Sequence, residues 1–160
     1  MKKVVFLDRD GVINIEPGHY TYEVEKFKIV PGLFDALKIL QEKGFQFIVI
    51  TNQGGISKGV YNHNDVISVH NYMQTQFKAA DIEILDVYYC PHHSINEKCI
   101  CRKPNSLMLE KAMARYNIDQ SKAYFVGDNV TDMGAAKAAG IKGIKINAND
   151  PLAQYLNQII

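Results

Sequence analysis

The chain has 160 residues, 47% hydrophobic and 22% charged, the balance of an ordinary globular protein, so whole-chain disorder is excluded. Eighteen basic and 17 acidic residues leave a net charge of +1, which argues against a nucleic-acid partner held through its phosphate backbone. No run approaches the roughly 20 apolar residues needed to span a bilayer, so no membrane partner is expected. Met1-Lys2-Lys3 followed by four apolar residues before Asp8 is too short for a signal-peptide core, and a cytoplasmic location is expected.

The apolar pattern alternates short runs with helical ones, the signature of an α/β fold with a helix-covered parallel sheet. Lys3 to Asp8 reads as a buried strand. Pro31, then Leu33 to Lys43 with Leu33, Leu37 and Leu40, reads as a helix ended by Gly44. Phe45 to Thr51 is a second strand. A helix from about His63 to Ala80 carries Val66, Val69, Tyr72, Met73 and Phe77 at near-helical spacing. Ile84 to Tyr89 is a third strand. Pro104 and Asn105 start a helix that carries Leu107, Leu109, Met113 and Tyr116. Ala123 to Val126 is a fourth strand, Met133 to Ala139 a short helix closed by Gly140, and Ile141 to Ile146 a fifth strand. Asp150-Pro151 opens a final helix. No repeat or linker interrupts this order, so one domain over residues 1–160, acting as a monomer, is expected.

Two loops, Arg9 to about Val30 and Cys90 to Lys103, exceed the short connections of such folds. Both follow strand ends, where open α/β sheets bind their ligands. The first strand ends in Asp8-Arg9-Asp10-Gly11 and the second in Thr51-Asn52-Gln53-Gly54-Gly55. The third leads to Lys103, and the fourth ends in Gly127-Asp128-Asn129-Val130-Thr131-Asp132. This set suits phosphoryl transfer to water through a covalent intermediate. Asp8 can attack phosphorus as a carboxylate, and Asp10 can shuttle the proton of the leaving oxygen. Two carboxylates facing a phosphate need Mg²⁺, which Asp8, the backbone carbonyl of Asp10 and Asp128 can hold. Thr51 and Lys103 can bind the equatorial phosphate oxygens. Any one of these signals alone is an ordinary turn, cap or solvated charge; placed at the ends of successive strands, they form a site.

All three cysteines fall within twelve residues, too few and too clustered for a disulfide scaffold. Cys90-x-His92 and Cys99-x-Cys101 offer the four ligands of a closed structural Zn²⁺ site. Chemistry alone does not separate His92 from His93. His19, His63, His70 and His93 read as surface or packing residues, with His19 the exception because it lies beside the site. Met73, Phe77, Tyr88 and Tyr89 read as core.

Asp8-Arg9-Asp10-Gly11-Val12-Ile13-Asn14, Thr51-Asn52-Gln53, Lys103 and Gly127-Asp128-x-x-x-Asp132 together resemble the haloacid dehalogenase superfamily of phosphotransferases over nearly the whole chain. The strings Thr51-Asn52-Gln53-x-Gly55-Ile56 and Cys90-Pro91-His92-His93…Cys99-x-Cys101-Arg102-Lys103-Pro104 are similar to its heptose-bisphosphate and histidinol-phosphate phosphatase branch. The resemblance implies a Rossmann-like doubly wound sheet and a magnesium-dependent phosphatase with Asp8 as nucleophile and Asp10 as acid/base. It favours His92 as the fourth zinc ligand. It implies Arg102 in substrate recognition, and a substrate site lined by Glu16, Gly18, His19, Asn52, Gln53 and Gly54. With no room for an inserted domain, the chain reads as a capless member. Asn129 stands where the heptose enzymes usually have lysine, a substrate contact, and Gly54 where they tend to have serine. The six residues between His92 and Cys99 are nearer the histidinol version. Gly55-Ile56-Ser57-Lys58-Gly59 favours a small phosphorylated sugar, the 7-phosphate of heptose 1,7-bisphosphate, over histidinol phosphate. A receiver-type phospho-accepting domain is the reading from another class, but it carries its acceptor aspartate at the third strand.

Overall fold

A computed structural model describes all 160 residues. Five parallel strands, β1 (Lys2–Leu7), β2 (Phe45–Asn52), β3 (Ile84–Cys90), β4 (Ile118–Gly127) and β5 (Lys142–Lys145), form one sheet in the order β3-β2-β1-β4-β5. The central strands are apolar on both faces because successive side chains alternate sides, and both sides are covered. Val5, Leu7, Phe47 and Val49 point to one core, closed by α1 (Leu33–Glu42) and α2 (His63–Ala79) through Leu37, Leu40, Met73 and Phe77. Val4, Phe6, Ile48, Ile50 and Phe125 point to the other, closed by α3 (Leu107–Tyr116) and α4 (Val130–Ala138) through Leu109, Ala112, Ala135 and Ala136.

Several boundaries differ from expectation. α3 begins at Leu107 because Pro104 and Asn105 sit in a turn in which the Asn105 N–H bonds the Arg102 carbonyl. α4 begins at Val130 because Asn129 caps it. Its Oδ1 accepts the Thr131 N–H at 3.3 Å, while the Asp132 carboxylate accepts the Asn129 N–H at 3.0 Å. β4 reaches back to Ile118, which pairs with Lys2 across a register shift. The final helix is a 3₁₀ segment, Leu152–Gln158.

The sheet order reverses direction between β1 and β4, so the crevice for a ligand opens beside the ends of these two strands. Neither of the two long connections that leave the carboxyl ends of the strands, after β1 and after β3, carries an inserted cap. The first holds a 3₁₀ turn at Val24–Lys26 pinned by bridges of Asn14 to Asp10 and Ile29; the other holds the cysteine loop.

Candidate active site

β1 and β4 deliver Asp8 and Asp128 to the crevice, and the first turn of α4 delivers Asp132. One oxygen from each lies within 4.8 Å of the others. Lys103 reaches them from the far end of the cysteine loop and is only 3% exposed. Its Nζ donates to Asp8 Oδ1 at 2.9 Å and to the Ile50 carbonyl at 3.0 Å. It sits 2.6 Å from Asp132 Oδ1, as an ion pair off the line of a hydrogen bond. Burial works against the ammonium, but Asp8 and Asp132 outweigh it and hold its pKa above the ordinary lysine value. Burial lifts the Asp8 carboxyl well above its usual 3.8; Lys103 opposes the rise and Asp132 adds to it. Burial likewise raises Asp128, against a hydrogen bond from Asp8.

One lysine thus faces two buried carboxyls and a third that is half-buried, and hard oxygen donors in excess of local positive charge fit a divalent cation. The close approach of Asp128 to β1 needs Gly11. Its φ is +87°, and a side chain there would land on the Asp128 carboxylate.

Asp10 lies beside this cluster with its two oxygens in different surroundings. Oδ1 accepts from Arg9 and Asn14, whereas Oδ2 accepts only from Gln53 Nε2, at 3.3 Å. Gln53 also donates to Thr51 Oγ1 at 2.9 Å, and its Oε1 accepts the Tyr61 hydroxyl at 2.8 Å. A cavity of about 420 Å³ opens over Asp10, lined by Glu16, Gly18, His19, Tyr20, Asn52 and Gln53 among others. Five residues expected to line a substrate site therefore share one wall-set with the acid/base candidate. Glu16 Oε1 accepts the Gly18 N–H at 2.7 Å, and burial raises the Glu16 carboxyl. Asn52 pairs its amide with the Lys103 backbone at 3.0 and 3.2 Å, so it also fixes where Lys103 leaves the loop.

The remaining expected residues serve other contacts. Arg102 Nη1 donates to the His92 carbonyl at 2.9 Å, and a side chain on Gly54 would meet that guanidinium at 2.8 Å. Gly54 therefore makes room for Arg102. Asn129 does not line the cavity; its side chain holds the N-terminus of α4. His63 Nδ1 lies 2.8 Å from the Tyr89 hydroxyl, and His70 is buried against Arg9.

Cys90, His92, Cys99 and Cys101 converge, with one ligand atom each within 4.8 Å of the others. Cys90 Sγ lies 3.7 Å from Cys99 Sγ and 3.0 Å from Cys101 Sγ, and His92 Nδ1 lies 3.4 and 3.3 Å from Cys90 and Cys101. A tetrahedral zinc with its usual bond lengths has edges of roughly 3.5–3.8 Å. The four side chains could hold a metal ion, and the loop fits a zinc-binding one. His93 points away, its Nδ1 accepting from Ile95 N, which separates the two histidines.

Sequence reasoning gave no role to Asp132, Arg9, Tyr61 or Asn149. Asp132 was legible as the fourth position of an Asn-x-x-Asp cap. Arg9 reads as a polar residue beside two candidate catalytic ones, and nothing local signals that it is 1% exposed. Asn149, 133 residues from Glu16, pairs its amide with the Glu16 backbone at 2.6 and 3.0 Å, a contact visible only in the fold.

Comparison with known proteins gives this geometry a family. Residues 2–140 match the haloacid dehalogenase-like hydrolases. A D-glycero-β-D-manno-heptose-1,7-bisphosphate 7-phosphatase of Vibrio cholerae is 40% identical over 151 residues, 91% of this chain and 80% of the relative. Its namesake in Haemophilus influenzae is 38% identical over 147 residues, 89% and 79% of the two chains. The crystal structure of D,D-heptose 1,7-bisphosphate phosphatase from B. bronchiseptica, complexed with magnesium and phosphate, superposes with a TM-score of 0.85. That pair is 26% identical, covering 99% of this chain and 87% of the other. With its fold, its strand-end carboxylates and its lysine in the arrangement described, the chain belongs to the haloacid dehalogenase-like hydrolases.

Proposed function

We propose that the chain is a Mg²⁺-dependent phosphomonoesterase that removes the 7-phosphate of D-glycero-D-manno-heptose 1,7-bisphosphate, acting as a cytoplasmic monomer on this small sugar. The observation that carries the reading is the convergence of Asp8, Asp128, Asp132 and Lys103 beneath an open cavity walled by Asp10 and Gln53. The relatives named for this activity support the choice of substrate.

Asp8 attacks phosphorus through a carboxylate oxygen, forming a P–O bond as the bond to the sugar oxygen breaks. Asp10 gives its proton to that leaving oxygen. It then takes a proton from the water that attacks phosphorus and releases Asp8. Thr51 and Lys103 hold the equatorial oxygens while the charge redistributes. Bound by Asp8, Asp128 and the carbonyl of Asp10, Mg²⁺ would offset the repulsion between carboxylate and phosphate. Asp132 holds Lys103 in place. Arg102 and the Glu16–His19 segment meet the sugar, and Asn129, through its cap, steadies Asp132.

Zn²⁺ on Cys90, His92, Cys99 and Cys101 is structural in this reading, because all four positions are protein ligands. It stiffens the loop that presents Arg102 and Lys103. The short His92–Cys99 spacing favours histidinol phosphate as the second reading. Phosphate release from the two compounds with Mg²⁺ separates them. We expect kcat/KM at least about tenfold higher on the heptose bisphosphate, a difference of about 1.4 kcal/mol. A preference for histidinol phosphate overturns the substrate assignment.

A further inference from the structure

The one large charged side chain in the interior that the mechanism above leaves without a task is Arg9. It lies between Asp8 and Asp10 in sequence, yet its side chain runs away from the crevice and beneath the first loop. There it is 1% exposed and packs over the Phe27 ring at 5.8 Å. Removing a guanidinium from water costs several kcal/mol, and a buried ion pair is poor evidence of a gain in stability. Its contacts give a different reason for its presence. Nη2 donates to Asp10 Oδ1 at 2.9 Å and to the Thr21 carbonyl at 2.6 Å, Nε approaches Asp10 Oδ1 at 3.3 Å, and Nη1 meets His70 Nε2 at 3.3 Å. Asn14 Nδ2 adds a third donor to Asp10 Oδ1 at 3.0 Å.

We propose that Arg9 is a positioning residue that makes Asp10 a one-sided acid. It occupies Oδ1 and holds the carboxyl so that the transferable proton rides on Oδ2, facing the leaving oxygen. A proton on Oδ1 would confront three N–H donors, whereas Oδ2 accepts a single long contact from Gln53. The orientation of that contact is itself held by the Tyr61 hydroxyl on Gln53 Oε1. The same guanidinium grips Thr21, so the acid and the loop that walls the cavity keep one register.

The inference rests on the proposed reaction, and a leaving-group comparison tests the two separately. An alkyl ester needs the acid to release its oxygen; p-nitrophenyl phosphate, whose leaving group is already a stable anion, does not. kcat/KM reports steps through formation of the phosphoenzyme, so the role of Asp10 in the later hydrolysis does not enter. Wild type, Asp10→Asn, Arg9→Gln and Arg9→Lys are assayed on p-nitrophenyl phosphate and on whichever of heptose bisphosphate and histidinol phosphate wild type turns over. Melting curves accompany each variant. We expect Arg9→Gln to lose about 10²-fold on the alkyl ester and less than about fivefold on the aryl ester, following Asp10→Asn in pattern. Arg9→Lys, which keeps the charge but loses the fork, should show a smaller split. If Arg9→Gln does not fold, Arg9→Lys decides. Equal losses on both esters, or no loss, overturn the role of Arg9. A missing split in Asp10→Asn overturns the assignment of Asp10 as the acid instead.

Discussion

Buried charges decide how single residues behave in this protein, and His70 gives the cleanest measurable consequence. It is 6% exposed, and burial, aided by the Arg9 guanidinium, lowers its pKa from 6.5 to about 3. The folded chain therefore keeps the ring neutral while the unfolded chain takes up a proton below 6.5. The stability tied to a neutral His70 is complete above that pH and is lost as pH falls towards 3, on the order of 1 kcal/mol per pH unit. Urea midpoints measured between pH 7 and 4.5 should fall more steeply for wild type than for His70→Gln; parallel slopes would contradict the assignment. Legibility at this scale followed chemistry rather than packing. Asp8, Asp10, Lys103 and the three cysteines stand out as types at strand ends. Arg9, His70 and Asn14 do not, because their roles depend on neighbours up to 61 residues away. Asn129 was read as a polar residue facing substrate rather than as a cap. Its spacing to Asp132 carries that signal, and the substrate reading passed over it.

The elements were read more easily than their ends. Strands β1, β2 and β3 and helices α1 and α2 lie within one or two residues of expectation, because apolar period and flanking Gly or Pro agree there. α3 and α4 shifted where turn and cap contacts, rather than the apolar pattern, set the start. Among the connections, the cysteine loop was the most informative, since it has little apolar content to hold it and needs another support. Its ties run to the neighbouring loop: Ser57 N–H bonds the Pro91 carbonyl at 3.2 Å, and Asn96 Nδ2 bonds the Ser57 carbonyl at 2.9 Å. Arg102 bonds the His92 carbonyl from within the loop, so loosening the four side chains would free Arg102, the neighbour of Lys103. Cys99→Ser should release bound zinc, lower the melting temperature by about 5–10 °C and reduce kcat/KM in parallel. Metal content measured on the purified protein, with melting curves and kinetics, checks this. An unchanged melting temperature with full activity and no zinc would contradict it.

At the scale of the whole molecule, the sheet order does the assembling. Because it reverses between β1 and β4, residues at positions 8, 10, 128 and 132, far apart in sequence, meet at one edge, and the two helical layers cover everything else. The doubly wound fold was legible because buried parallel strands leave an unmistakable alternation with helices. The placement of the site was legible because ligands of such a sheet bind outside the carboxyl ends of its strands. What the order of elements does not encode is fit: the room Gly54 leaves for Arg102, or the pairing of Asn149 with Glu16. With no cap over the crevice, the proposed reaction leaves selectivity to these loop contacts and catalysis to the strand-end cluster. The central claim is that Asp8 is the nucleophile of a Mg²⁺-dependent phosphatase. The most direct test is phosphate release from heptose 1,7-bisphosphate by wild type and Asp8→Asn, each with Mg²⁺ and with EDTA. Wild type should turn over only with the metal, and Asp8→Asn should lose at least about 10³-fold in kcat while retaining its melting temperature. Turnover by Asp8→Asn within about tenfold of wild type would contradict the account.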